Sequence, residues 1–262
     1  MDKNTSLAKK LVREKIWRLL EERGLALPPR PLYGRIPNFV GAEKAASLLR
    51  ETKEWRTAKI VKVNPDSPQK WVRLFALKEG KILIFASPRL QRGFIILDPR
   101  RIPGYDIDYA STIKGAFKYG RPIDLVELKE LEIDLMVTGS VAVDKRGHRV
   151  GKGEGYAELE YGILREVGSL SASTPVATTV HDLQIVEDVP RDPYDIVVDI
   201  VATPRRLIRI SSSENLKPRG IYWELLPCEK LRKIPILLNL ASLKEIDPWK
   251  LCSRGRRVPT SS

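Results

Sequence analysis

Residues 149 to 160, RVGKGEGYAELE, place three glycines at alternate positions (Gly151, Gly153 and Gly155) beside two cations, Arg149 and Lys152. Closely spaced glycines let backbone N–H groups approach a ligand, and the helix expected from Tyr156 onward would turn its positive end toward an anion. A planar guanidinium next to an ammonium suits a polyphosphate. Glu154, Glu158 and Glu160 share the stretch, and a carboxylate beside phosphates must reach them through a divalent cation, because direct contact would be repulsive. Carboxylates are also comfortable at a helix N-terminus with no ligand at all. On the residues alone, a phosphate loop and a structural turn both remain open.

Two familiar phosphate motifs are absent. Gly151-Lys152 is followed by Gly153 and preceded five places back by Arg146, so G-x-x-x-x-G-K-[ST] fails; Tyr156 follows Gly155, so G-x-G-x-x-G fails too.

The loop needs a frame, and the apolar pattern supplies one. Leu7, Leu11, Ile16, Leu19 and Leu20 fall near helical spacing between Ser6 and Arg23, and Gly24 with Pro28 and Pro29 ends that helix. A second helix is expected near Ala42 to Glu51, and SPQKWVRLFALKEG is expected to form a short one. TAKIVKV (57 to 63), KILIFAS (81 to 87) and the segments 132 to 138, 175 to 181 and 196 to 202 read as strands, with a helix over 156 to 167. The stretch RLQRGFIILDPRRIPGYDIDYAS reads as loop, with a helix beginning near Asp108. Strands apolar on both faces and separated by helices predict one α/β domain with a mostly parallel sheet flanked by helices. That domain is expected to span 1–225, with 226–262 an extension of one helix and a polar tail.

Composition narrows the partners. The chain of 262 residues carries a net charge of +13, a field that draws nucleotides, polyglutamylated cofactors or nucleic acid without choosing among them. No RNP-type segment or aromatic platform accompanies the charge, so nucleic acid has little support. No apolar run approaches the roughly 18 residues of a membrane span. The start of the chain has charges where a secretory signal would be apolar. Cys228 and Cys252 are the only cysteines, read as free thiols of a cytoplasmic protein. Three Gln and five Asn amid abundant Lys, Arg and Glu match a protein kept folded at high temperature. His181 beside Asp182 reads first as a cap at a strand end. The sequence leaves the oligomeric state open.

DLMVTGSVAVDKRGHRVGKGEGYAELEYGIL resembles the signature of the 5-formyltetrahydrofolate cyclo-ligase (methenyltetrahydrofolate synthetase) family, whose loop runs R-L-G-Y-G-G-G-Y-Y-D-R. VHDLQIV (180 to 186) and YDIVVDIVATP (194 to 204) resemble its later blocks, in order. REKIW, PRP with RIPNF, SVAV, GKGEGYAELEY, TVHD and IPIL are closest to a divergent branch, the methenyltetrahydrofolate synthetase domain-containing proteins. The resemblance implies a fold shared with sugar-phosphate isomerases (NagB and RpiA types) and CoA transferases. It also implies ATP- and Mg²⁺-dependent closure of 5-formyltetrahydrofolate to 5,10-methenyltetrahydrofolate, with a reduced folate or related pterin as partner.

Arg149, carried over by position, would be catalytic together with Lys152, a cation that stands where the family has Tyr. Lys9, Arg13, Arg149, Gly151, Lys152, Gly153 and Gly155 would bind the nucleotide, and Glu158 would serve the metal. Tyr156 would lie at the junction with the folate. Asn38 and Phe39 of RIPNF would line the pterin pocket, or else belong to a structural turn with Pro37. Lys152 replaces a family Tyr, Glu154 the middle Gly, Glu158 an Asp and Leu159 an Arg. These departures keep open a paralogue serving another pathway, thiamine metabolism among them, and the net charge of +13 keeps open a nucleic-acid-binding module.

Overall fold

In a computed structural model of the chain, residues 3–210 and 217–254 are described. Eleven helices and thirteen strands alternate through them. The N-terminal helix α1 (Lys3–Glu22) precedes a small antiparallel pair, β1 (Ala26–Leu27) and β2 (Asn38–Phe39). Next come α2 (Ala42–Arg50), α3 (Lys53–Thr57), β3 (Ile60–Val63), α4 (Lys70–Lys78), β4 (Ile82–Ala86) and β5 (Phe94–Leu97). The middle holds α5 (Ile107–Ala110), α6 (Ile113–Tyr119), β6 (Arg121–Ile123), α7 (Leu125–Lys129) and β7 (Leu135–Thr138). Then β8 (Ala142–Asp144), β9 (Arg149–Val150), α8 (Tyr156–Val167), β10 (Val176–Thr179), β11 (Ile185–Val186), β12 (Ile200–Ala202) and β13 (Leu207–Arg209) follow. The chain closes with α9 (Cys228–Lys233), α10 (Pro235–Leu243) and α11 (Pro248–Arg254).

The main sheet has the order β13-β12-β10-β7-β3-β4-β5-β6. Its five central strands run parallel, while β13 on one margin and β5 with β6 on the other are antiparallel. The mostly parallel sheet flanked by helices is therefore as the apolar runs predict. Period-two alternation sorts the strand residues between two cores. Leu83, Phe85, Leu135 and Val137 pack in one cluster with residues of α2 and α4, whereas Ile84, Ala86 and Met136 face the other with α8 and α10.

Several expectations are corrected. FIIL, read as loop, is strand β5; it lies between Gly93 and Asp98-Pro99 and is too short to show a period. The segments read as strands at 196 to 202 and 132 to 138 are shorter, and β8 and β9 intervene between β7 and the glycine loop. Beyond residue 226 there are three helices where one was expected, because Leu231, Ile234, Leu237, Leu240 and Ala241 are buried in the same cluster as α8. The polar tail from 255 onward lies outside the described residues.

The cysteines are also not free. Cys228 on α9 and Cys252 on α11 form a disulfide, with Cα atoms 5.3 Å apart. A separation of 24 residues with no repeating spacing gave no hint of this contact. The bond removes the thiol argument for a reducing compartment, since neither cysteine is a free thiol.

Closing a loop of 24 residues stabilises a fold by about 3 kcal/mol through the restricted unfolded chain. Reduction, or Cys252→Ser, should therefore lower the thermal unfolding midpoint by roughly 6–12 °C. A midpoint indifferent to reductant in calorimetry would show that α9 and α11 hold together without the bond.

Candidate functional site

Ligands in open α/β sheets bind outside the carboxyl ends of the strands. Here Asn64 and Asp66 follow β3, Ser87 and Arg89 follow β4, and Gly139 follows β7, and all five border one cavity of about 720 Å³. That volume falls within the range of small-molecule sites. The glycine loop also borders it, together with Lys9 and Arg13 from α1.

A short hairpin delivers the loop. Asp144, buried at the end of β8, accepts hydrogen bonds from the backbone N–H groups of Arg146 (2.8 Å) and His148 (3.0 Å), which fixes the reversal into β9. β9 then places Arg149 opposite Val143. Its buried guanidinium pairs with Glu158 in the first turn of α8, and among the described residues its Nε has no hydrogen-bond partner. Gly153 and Gly155 take φ of 104° and 69°, which strains any residue with a Cβ. Gly151 is needed for space instead: a Cβ there would stand 2.6 Å from Nη1 of Arg149.

Arg13 reaches the loop from α1. Its Nε donates to the Gly151 carbonyl at 2.6 Å, and its Cζ lies 3.5 Å from where a Gly153 Cβ would be. Among the described residues no carboxylate comes within ion-pair distance of this guanidinium. Burial depresses its pKa, while Glu158 and Asp195 act in the opposite sense from farther away. Lys152 lies 3.5 Å from Asp66 and 3.4 Å from Glu154. Burial works against its charge, but the two carboxylates prevail and hold the ammonium above its ordinary pKa.

Arg13, Arg149, Lys152, the three glycines, Tyr156 and Glu158 are thus brought to one cavity wall. Lys9 also borders the cavity, but its ammonium is committed. It donates to Asp192 at 2.7 Å and to Asp195, and all three side chains are buried. Asn38 and Phe39 do not border the cavity. Asn38 donates to the Pro28 carbonyl at 2.7 Å, and Phe39 is fully buried against His181, with ring centroids 6.1 Å apart. Strand β2 pairs with β1, Phe39 opposite Ala26 and Asn38 opposite Leu27. His181 caps the turn at Asp182–Gln184, its Nδ1 accepting from Leu183 N at 3.1 Å.

Sequence reasoning missed several neighbours. Tyr33 stacks near Trp17 (5.4 Å), and Tyr194 meets Tyr222 edge-on (6.2 Å), so the cavity has two aromatic borders. Buried Lys62 on β3 contacts Glu160 on α8 and donates to Asn64 Oδ1 at 2.8 Å, tying the helix to the sheet behind the cavity. Burial raises the Glu160 carboxyl pKa, with Lys62 opposing. Asn64-Pro65-Asp66 directly after a parallel strand was the one available signal, because the strand-end rule points there.

For a metal, the donor set decides. Among the described residues no group of three His, Cys, Asp or Glu side chains is arranged to hold one. Every carboxylate near the loop faces a cation: Glu158 faces Arg149, Asp66 and Glu154 face Lys152, and Glu160 faces Lys62. This suits a cation arriving with phosphates, as Mg²⁺ does, and not a cage of protein ligands.

The fold and site together define an α/β protein with a cationic, glycine-built loop over its parallel strand ends. The chain belongs to the 5-formyltetrahydrofolate cyclo-ligase family, whose model matches residues 5–204. It is 42% identical over 253 residues to a methenyltetrahydrofolate synthase domain-containing protein of Bos taurus, covering 94% of this chain and 65% of that one. The Homo sapiens protein of the same name is 40% identical over 247 residues, 91% of this chain and 63% of its own length. The chain therefore spans a little under two thirds of these relatives. Among solved structures, the Aquifex aeolicus 5,10-methenyltetrahydrofolate synthetase aligns with a TM-score of 0.48 and 20% identity over 83% of this chain and 98% of that one.

Two outcomes are expected. Lys9→Met leaves Asp192 and Asp195 buried and unpaired, and should cost about 3–5 kcal/mol in chemical denaturation; a loss below 1 kcal/mol would place the pair in water. Burial holds His181 below its ordinary pKa of 6.5, with Asp182 opposing. A depressed His binds fewer protons folded than unfolded, so its contribution is present above 6.5 and is lost as pH falls through that value toward the folded pKa. NMR titration should give a midpoint under 6.5, and His181→Asn, which can still cap, should flatten the stability loss between pH 7 and 5.

Proposed function

We propose that this chain is an ATP- and Mg²⁺-dependent 5-formyltetrahydrofolate cyclo-ligase, with the nucleotide phosphates on the glycine loop and the pterin between the aromatic borders. The observation that carries the reading is Arg13, a half-buried guanidinium pressed against the loop glycines that, among the described residues, donates to a carbonyl and has no carboxylate within ion-pair distance. A charge withdrawn from water without a counterion is unfavourable, and an anion on the loop would relieve it. Family membership and the names of the relatives supply the substrate class.

In this reading the formyl oxygen takes the γ-phosphoryl group and ADP leaves. The second folate nitrogen then attacks the activated carbon and loses its proton to the departing phosphate, which carries off the former formyl oxygen. Such chemistry depends on positioning and on charge neutralisation. Arg149, fixed by Glu158 and by the hairpin, holds its guanidinium at the loop without reorganising, and Lys152 places an ammonium next to it. Mg²⁺ would enter with the nucleotide, held by Glu158 or Asp66, and would neutralise phosphate charge. Tyr33, Tyr194 and Tyr222 present ring faces and edges to a flat heterocycle.

Glu158 favours a second reading: its engagement by Arg149 would suit a retained nucleotide pocket in which the closure no longer runs. One assay separates the two. Incubation with 5-formyltetrahydrofolate, ATP and Mg²⁺ should give methenyl absorbance and ADP in step, and Lys152→Ala should lower kcat/KM on the order of 100-fold. ATP binding without methenyl product would support the second reading, and absence of ATP binding would overturn both.

A further inference from the structure

The family match ends at residue 204, yet the cavity wall continues through Leu225, Leu226, Pro227 and Lys230. Lys230 is the part of that segment with chemistry. Its Nζ donates to the Glu154 carbonyl, lies 3.1 Å from where a Cβ on Gly155 would be, and stands 4.8 Å from the centroid of the Tyr156 ring. An ammonium has three donors. Among the described residues this one has a single hydrogen bond and no carboxylate within ion-pair distance. Burial depresses its pKa against the pull of Glu158 and Glu154. It is the counterpart of Arg13 at the other end of the loop: Arg13 holds the Gly151 carbonyl, and Lys230 the Glu154 carbonyl.

The placement is built, not incidental. Cys228, two residues earlier, is bonded to Cys252, and Leu231 and Ile234 on the same stretch are buried in the cluster that includes α8. The backbone of Lys230 is therefore anchored on both sides, and only its side chain is free to meet a ligand.

We propose that Lys230 binds the polyphosphate end of the nucleotide, so that the segment beyond the family match completes the site. This rests on the nucleotide reading above and extends it. Arg13 and Lys230 bracket the loop, an arrangement that engages a chain of phosphates at two points and a single phosphate at one. The site thus discriminates triphosphate from monophosphate through a residue that the glycine motif does not contain.

The test measures dissociation constants for ATP, AMP and inorganic tripolyphosphate, each with Mg²⁺, for wild type, Lys230→Met and Lys230→Arg. Loss of one charged hydrogen bond should weaken ATP and tripolyphosphate about 10- to 100-fold in Lys230→Met and leave AMP within a few-fold, with Lys230→Arg restoring most of the difference. Amine acetylation of the wild-type protein provides a reading without substitution: ATP should protect Lys230 and AMP should not. Unchanged ATP affinity in Lys230→Met, equal losses for ATP and AMP, or acetylation of Lys230 indifferent to ATP would overturn the assignment while leaving the nucleotide reading intact. A wild-type protein that binds neither ATP nor tripolyphosphate would overturn both.

Discussion

The contact between Arg149 and Glu158 is the constraint around which the site is organised. Both charges are largely withdrawn from water, a loss that close pairing offsets only with good geometry. Arg149 sits at the start of the loop and Glu158 three residues after it ends, so the pair staples the two ends of the glycine stretch. The loop between them must then reverse within a few residues. Left-handed backbone at Gly153 and Gly155 permits that reversal, and the missing side chain at Gly151 leaves room for the guanidinium.

Everything else sets the two partners of that pair. Arg149 is aimed by the β8–β9 turn, whose hydrogen bonds converge on the buried Asp144 carboxylate. Glu158 is aimed by α8, which is held to β3 through Lys62 and Glu160 and to the core through Tyr161, Ile163 and Leu164. The parallel strands thereby act at one remove. They fix the helix and the hairpin whose separation the loop has to span.

How much of this was legible in the sequence follows from the range of each interaction. The glycine loop, the helix after it and the parallel strands are local patterns, so spacing and apolar runs revealed them. Strand β5 escaped because four apolar residues between turn residues carry no period. The commitment of Lys9 to Asp192 and Asp195 joins positions more than 180 apart, and no local signal marks it. Asn38 and Phe39 were expected at the pterin pocket, whereas Asn38 donates to the Pro28 carbonyl and Phe39 packs with Ala42 and Ala45, contacts that no local pattern marks. The disulfide and Lys230 were missed because residues 226–262 read as an appendage. Their apolar spacing was visible, but the surface they cover belongs to α8.

Charge balance explains why the cations of this cavity are not equivalent. Seven Lys or Arg and six Asp or Glu border it, so the protein is close to neutral there despite its net +13. Lys9 and Arg149 are neutralised by buried partners, and Lys152 by two carboxylates at its side. The long-range field can draw an anion toward the molecule. It cannot hold one in place, because screening by salt removes exposed charges from the balance within about 10 Å. Capacity for an anion therefore resides in the half-buried charges that, among the described residues, donate to a carbonyl and have no carboxylate within ion-pair distance. Arg13 and Lys230 are such charges, and they come from the two ends of the chain, on helices outside the sheet. The loop supplies shape, the sheet supplies rigidity, and the uncompensated charge is brought in from both termini.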